Sequence, residues 1–256
     1  MRTNRSVKAV TMAGRMLLFA IIQAYCGATV MEASQSVASP RGGAAAFHAY
    51  AQSNGFCTAV GSSGRIVSSS DESTWSDISE ANNALPTFFR GVTYGSNTFV
   101  VVGGSYVGVP GVIVTLKSGN AWTFVDSGTR NNLYAVAYGN GRFVAVGDHD
   151  TILTSKDGTH WRKRNTETTD ILFASVAFGN GTFVAIGDSG TILTSTDGVK
   201  WKARPSGTSM YLSKVYYDAG AFVAMGADGL VLLSTTDGIA WVSRRSLAAS
   251  VVDILH

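Results

Sequence analysis

From residue 45 onward the chain alternates short apolar runs with tight polar breaks, and the breaks carry turn chemistry. Asn140-Gly141 and Asn180-Gly181 each separate two apolar runs. Asn-Gly supplies the positive φ angles of a two-residue hairpin, so the runs on either side are expected to pair antiparallel. A second break falls at 148–150 and 188–190, and a third at the Asp-Gly pairs 157–158, 197–198 and 237–238. Three turns define four short strands, predicted in the best-preserved copy at 133–138, 142–147, 151–155 and 159–163. The second of these, Phe143-Val144-Ala145-Val146, and its counterpart Phe183-Val184-Ala185-Ile186 are apolar at every residue. Strands of that kind are buried on both faces.

The four-strand unit recurs. Tryptophans at 75, 122, 161, 201 and 241 are spaced by 47, 39, 40 and 40 residues, and a glycine closes the second strand at 61, 103, 147, 187 and 226. The second copy carries an insertion around 105–110. Repeats of this length, each a four-stranded sheet that must bury both faces, stack radially. The expected fold is therefore an all-β propeller with five recognisable four-stranded blades. Small residues in the first strands (Gly91, Ala135, Ala137, Ala174, Ala177) suit the crowded position at the axis. A β-solenoid is the alternative, but its repeats are usually shorter and lack three hairpins each. Residues 251–256 resemble the opening of a further repeat, so the ring is expected either to close on a short tail or to be incomplete.

Composition supports this picture and removes some functions. Charged residues make up 14%, Gly numbers 29 and Pro 4, which suits short strands and tight turns and not a helical bundle with charged outer faces. The net charge is only +3 and no basic stripe is present, so nucleic-acid binding is not expected. Residues 1–30 read as a secretory signal: Arg2, Arg5, Lys8 and Arg15 precede the apolar run 16–22, and small residues follow at 26–28. An uncleaved anchor is the alternative. Residues 31–44 read as a linker and 45–250 as the propeller. The expected location is secreted, periplasmic or extracellular, with no membrane span left after cleavage. Cys57, in an apolar strand, reads as a small buried hydrophobe.

The third turn has a recurring signature: Ser155-Lys156-Asp157-Gly158 leading to Trp161, Ser195-Thr196-Asp197-Gly198 leading to Trp201, and Asp237-Gly238 leading to Trp241. These residues resemble the BNR or Asp-box propeller repeats, in a version one residue shorter than that family's pattern. They are close to the repeats of photosystem II stability/assembly-factor-like and bacterial secreted propellers. The first copy, with Asp71 and Trp75, has Glu72 where glycine belongs, and the second lacks the Asp. An Asp in such a turn accepts backbone N–H bonds, and Trp fills a gap between blades. A catalytic group is needed once and a turn brace in every blade, so these residues are assigned to structure.

The resemblance includes sialidases, but their arginine triad and Tyr/Glu nucleophile pair find no match, and no pair of acids is set for glycoside hydrolysis. The remaining candidates lie where loops between second and third strands and between blades open on one side. They are Tyr106, Arg90, His149, Asp148, Asp188 and Tyr211. Arg90, with His48 and Lys214, stands at or beside inner-strand positions where it could meet an anionic group. His149 between two aspartates is poor metal-ligand geometry, and neither metal nor cofactor is expected. The chain reads as a non-enzymatic binding or assembly module for a protein or glycan partner. The alternatives are a divergent glycoside hydrolase or a fragment of a larger surface propeller.

Overall fold

The computed structural model describes residues 47–53, 55–70, 76–77, 87–105, 111–117 and 121–245. They form five antiparallel four-stranded sheets, each a simple meander. The first holds β1 (Phe47–Ser53), β2 (Phe56–Gly61), β3 (Ile66–Ser69) and β4 (Ser76–Asp77), and the second β5 (Thr87–Gly95), β6 (Thr98–Ser105), β7 (Val112–Lys117) and β8 (Thr123–Val125). The third holds β9 (Leu133–Gly139), β10 (Arg142–Gly147), β11 (Thr151–Ser155) and β12 (Arg162–Lys163). The fourth holds β13 (Phe173–Gly179), β14 (Thr182–Gly187), β15 (Ile192–Ser195) and β16 (Lys202–Arg204). The fifth holds β17 (Leu212–Asp218), β18 (Ala221–Gly226), β19 (Leu230–Ser234) and β20 (Trp241–Arg245). The first strands lie side by side in chain order, β1 beside β5, then β9, β13 and β17. The fold is a β-propeller.

The blades form for the local reasons visible in the chain. Asn140 and Gly141 take φ of 46° and 69°, and Asn180 and Gly181 take 43° and 72°, the left-handed pair that a two-residue hairpin demands. All residues of β14, and all of β10 after Arg142, are buried, because these two blades have a neighbour on either side. The predicted fourth strand at 159–163 is shorter in the structure, Arg162–Lys163. Residues 157–161 are committed to the turn, where the Asp157 carboxylate binds the N–H groups of Thr159 and His160.

Neighbouring blades share cores. Val100, Val102 and Ile113 of the second blade meet Leu133, Phe143 and Leu153 of the third. Val144, Val146 and Ile152 of the third meet Phe173, Phe183 and Leu193 of the fourth. At the innermost edge three successive blade pairs, from the second to the fifth blade, share a repeated contact between a glycine and a ring. A Cβ built on Gly95 would lie 2.1 Å from Tyr138, on Gly139 2.2 Å from Phe178, and on Gly179 2.0 Å from Tyr217. The last residue of β5, β9 and β13 must therefore be glycine, so that the next blade's aromatic can lie flat on it.

Among the described residues no hydrogen-bonded strand pair joins the first blade to the fifth. Their sequences agree with that. In the fifth blade Asp218 occupies the glycine position, pairing with Ala221 as Gly179 pairs with Thr182. In the first blade Gln52, paired with Cys57, stands where Tyr138 pairs with Phe143. Neither half of the glycine–aromatic contact is available at that seam. Cys57 is fully buried within β2.

Candidate functional site

The recurring turns are built alike. The Asp157 carboxylate accepts the Ser155 hydroxyl at 2.9 Å and the N–H groups of Thr159 and His160 at 2.8 and 2.9 Å. Asp197 accepts Ser195, Val199 and Lys200 at 3.0, 2.8 and 2.9 Å, and Asp237 accepts the Thr235 hydroxyl and Ile239 at 2.6 and 3.0 Å. In each turn the tryptophan indole N–H bonds the glycine carbonyl: Trp161 to Gly158, Trp201 to Gly198, Trp241 to Gly238. Burial alone would raise the Asp157 carboxyl, but donation by His160, Thr159 and Ser155 outweighs it and holds the group below the usual carboxylate range. Gly158, Gly198 and Gly238 have positive φ, and a Cβ there would press on Val100, Val144 and Val184 of the preceding blade. Asp71 and Trp75 lie outside the described residues.

A different feature gathers the non-repeating side chains. Each inner strand opens with a one-residue bulge, seen as a register shift at 47/49, 89/91, 173/175 and 212/214, and opposite 146/147 in the third blade. The unpaired residue re-aims its side chain away from the sheet. In the five blades that residue is His48, Arg90, Tyr134, Ala174 and Ser213. One position per blade is thus freed from pairing at one end of the axis.

Arg90 is the centre of this group. Its guanidinium lies 4.7 Å from the Phe88 ring centroid and 5.8 Å from that of Tyr134. Among the described residues no carboxylate comes within 4.0 Å of it. Its charge is nonetheless felt from three other blades. Burial, then Arg90, holds the His48 imidazole below its ordinary value. Burial, then the Asp148 carboxylate it faces, pushes the Tyr134 phenol up to about 12 against the opposing pull of Arg90. Burial, then Asp188, raises Tyr211, which also feels Arg90. Tyr211 leads into the fifth blade and is 41% exposed. Side chains from the first, second, third and fifth blades therefore converge on one charge, and they can do so only at the axis.

The structure thus brings together Arg90, Asp148, Asp188 and Tyr211 from the sequence candidates, with His48. His149 stands apart at the crest of the β10–β11 turn, with its Nε2 3.7 Å from Asp170. Tyr106 lies outside the described residues. Lys214 follows the bulge of β17 with an exposed side chain, and desolvation lowers its ammonium. Tyr134 was missed in the sequence. Comparing the repeats column by column points to it, because the position is variable inside an otherwise uniform strand. Among the described residues no cluster of three His, Cys, Asp or Glu side chains could hold a metal, and no helix is long and apolar enough to cross a membrane.

Solved structures share this fold. YCF48 bound to D1 peptide superimposes with a TM-score of 0.61 at 17% identity, covering 80% of this chain and 68% of that one. YCF48 from Cyanidioschyzon merolae gives 0.57 at 18%, covering 80% and 73%. The WD40 β-propeller domain of Doa1 gives 0.57 at 13%, covering 83% and 72%. All three are propellers. No family profile and no curated protein matches the chain.

Proposed function

We propose that this chain is a non-enzymatic binding module that holds a protein partner at the axial mouth, with an acidic group of the partner seated on Arg90. The observation that carries this reading is the ring of bulge residues, which presents one arginine held between two aromatic rings and, among the described residues, without a carboxylate partner. A guanidinium flanked by rings keeps its edge N–H donors free for a bidentate carboxylate. Tyr134 and Tyr211 add amphipathic surface beside it. The structural likeness to YCF48, solved with a D1 peptide, supports a protein partner. We assign the Ser-x-Asp-Gly-x-x-Trp turns to the Asp-box type and to bracing alone, since their carboxylates are already occupied by their own backbone.

Fluorescent decapeptides ending in Asp or Glu, their C-terminal amides, and neutral or basic counterparts form the test panel for fluorescence polarisation. Acidic peptides are expected to bind, and Arg90→Gln to weaken them at least tenfold without changing the circular dichroism spectrum. Equal binding of neutral peptides, or an unaffected Arg90→Gln variant, refutes the reading. We further propose action outside the cytoplasm, after removal of residues 1–30. N-terminal sequencing of the exported protein checks this, and an intact Met1 in the mature protein refutes it.

A further inference from the structure

A second cluster of cations lies on the outer part of the third blade, away from the axis. Arg142 opens β10, Lys156 follows β11, Arg162 opens β12 and Arg164 follows it. Together with Asp157 and His160 they line a cavity of about 420 Å³. Arg142 also reaches the next blade, because its Cδ lies where a Cβ on Gly198 would be only 2.9 Å away.

The repeats separate what is structural here from what is not. Arg164 donates from Nε to Thr154 at 2.8 Å, and Arg204 makes the same bond to Thr194 at 2.8 Å in the fourth blade. That arginine is a brace. Arg142 and Lys156 have no such counterparts: Thr182 and Thr196 replace them in the fourth blade, and Ala221 and Thr236 in the fifth. Arg162 becomes Lys202 and then Val242. The third blade has therefore added cations to a frame that folds without them.

Close ion pairs do not neutralise those charges among the described residues. Among the described residues Asp157 is the one carboxylate lining the cavity, and its oxygens are committed to Ser155, Thr159 and His160, with Oδ2 2.7 Å from His160 Nδ1. Among the described residues none of the four cations makes an ion pair within 4.0 Å. Like charges this close repel one another unless an anion sits between them. Burial first, then Arg142 and Arg162, pull the Arg164 guanidinium below its ordinary value against the opposing pull of Asp197. Rigid guanidinium forks from separate strands match an oxyanion with oxygens in several directions better than they match a single carboxylate. The volume lies within the range of small-ligand clefts and exceeds what a bare ion needs, leaving room for the group the ion esterifies.

We propose that this cavity is a binding site for a tetrahedral oxyanion, phosphate or sulfate, either free or as a terminal ester. The site is independent of Arg90 and of the partner assigned to the axial mouth.

Isothermal titration of the full chain with inorganic phosphate, inorganic sulfate and citrate, at matched ionic strength against sodium chloride, tests it. Phosphate, sulfate or both are expected to bind one to one and in preference to citrate. Which of the two binds, and whether phenyl phosphate or phenyl sulfate binds tighter than the free ion, identifies the natural source. The double variant Arg142→Ala with Lys156→Ala, at positions where other blades carry Thr or Ala, is expected to lose affinity at least tenfold and keep its melting midpoint. Arg90→Gln is expected to bind as the parent does, so the two sites fail independently. Absence of binding beyond the chloride control, preference for citrate, or undiminished binding by the double variant overturns the proposal.

Discussion

Substituting Gly179 by Ala tests how the blades are held together. Gly179 ends β13, and the Tyr217 ring of the next blade lies over it; a Cβ would sit 2.0 Å from Cγ and 2.3 and 2.5 Å from the two Cδ atoms. Ordinary contact needs about 3.5 Å, so the ring or the strand would have to shift by roughly 1.5 Å. The ring cannot retreat, because it packs on Phe222 at 4.8 Å between centroids and Phe222 is completely buried. Overpacking of this kind costs about 1–3 kcal/mol, and backbone on one side with a buried ring on the other places this site near the upper end. For a domain of this size about 3 kcal/mol lowers the melting midpoint by roughly 6–12 °C. Thermal unfolding followed by circular dichroism measures it. In a double-mutant cycle, Gly179→Ala added to Tyr217→Ala is expected to cost almost nothing further, because the clash has gone; the coupling then equals about the full 3 kcal/mol. Asp218→Ala, at the matching position of the fifth blade, is expected to stay within about 0.5 kcal/mol of the parent. A Gly179→Ala midpoint within about 1 °C of the parent, or additive losses in the double variant, would refute the glycine–aromatic contact as the device joining blades.

Three further outcomes follow from named bonds. The Asp197 carboxyl would be raised by burial, but donation from Lys200, Val199 and Ser195 outweighs this and depresses it; a depressed carboxyl stabilises the fold above the unfolded value of about 3.9 and loses that contribution as pH falls through the folded value. Asp197→Asn is therefore expected to cost about 1 kcal/mol at neutral pH and to flatten the stability profile below pH ~4, read by urea unfolding; an unchanged acid limb contradicts this. The buried Ser175 hydroxyl accepts the Val215 N–H at 3.2 Å and faces its carbonyl at 3.5 Å, bridging the fourth and fifth blades. Ser175→Ala strands that N–H at about 1–3 kcal/mol, and hydrogen exchange at Val215 should accelerate; an unchanged rate is the contrary result. Tyr134, pushed up to about 12 by burial and then Asp148, is expected to titrate lower in Asp148→Asn and higher in Arg90→Gln, by ultraviolet absorbance. The opposite order would detach it from the axial group.

Much of the fold was legible before any coordinates. The Asn-Gly hairpins and the Phe143–Val146 run announce themselves because the interactions they encode span fewer than ten residues. The short fourth strand was less legible, since Asp157 competes for the backbone of Thr159 and His160 through its side chain. Arg90 was identifiable as the one arginine in an inner strand. Its clamp was not, because Phe88 and Tyr134 come from different blades. The rim cavity was invisible for a similar reason: Arg142, Lys156 and Arg162 are up to twenty residues apart and come together only when three strands pair.

The sequence by itself determined the repeat, the strand order within a blade, the turns and the all-β architecture. Each of these is set by periodicity and by side chains acting on their own backbone. Tertiary structure alone decided which variable residues share a place. A bulge of one residue frees His48, Arg90 and Tyr134 from their sheets, and radial stacking then points them at a common axis. It also decided where the stacking rule breaks off. Asp218 and Gln52 are unremarked polar residues in the chain, and they become the missing halves of a seam only once Gly179 is seen beneath Tyr217.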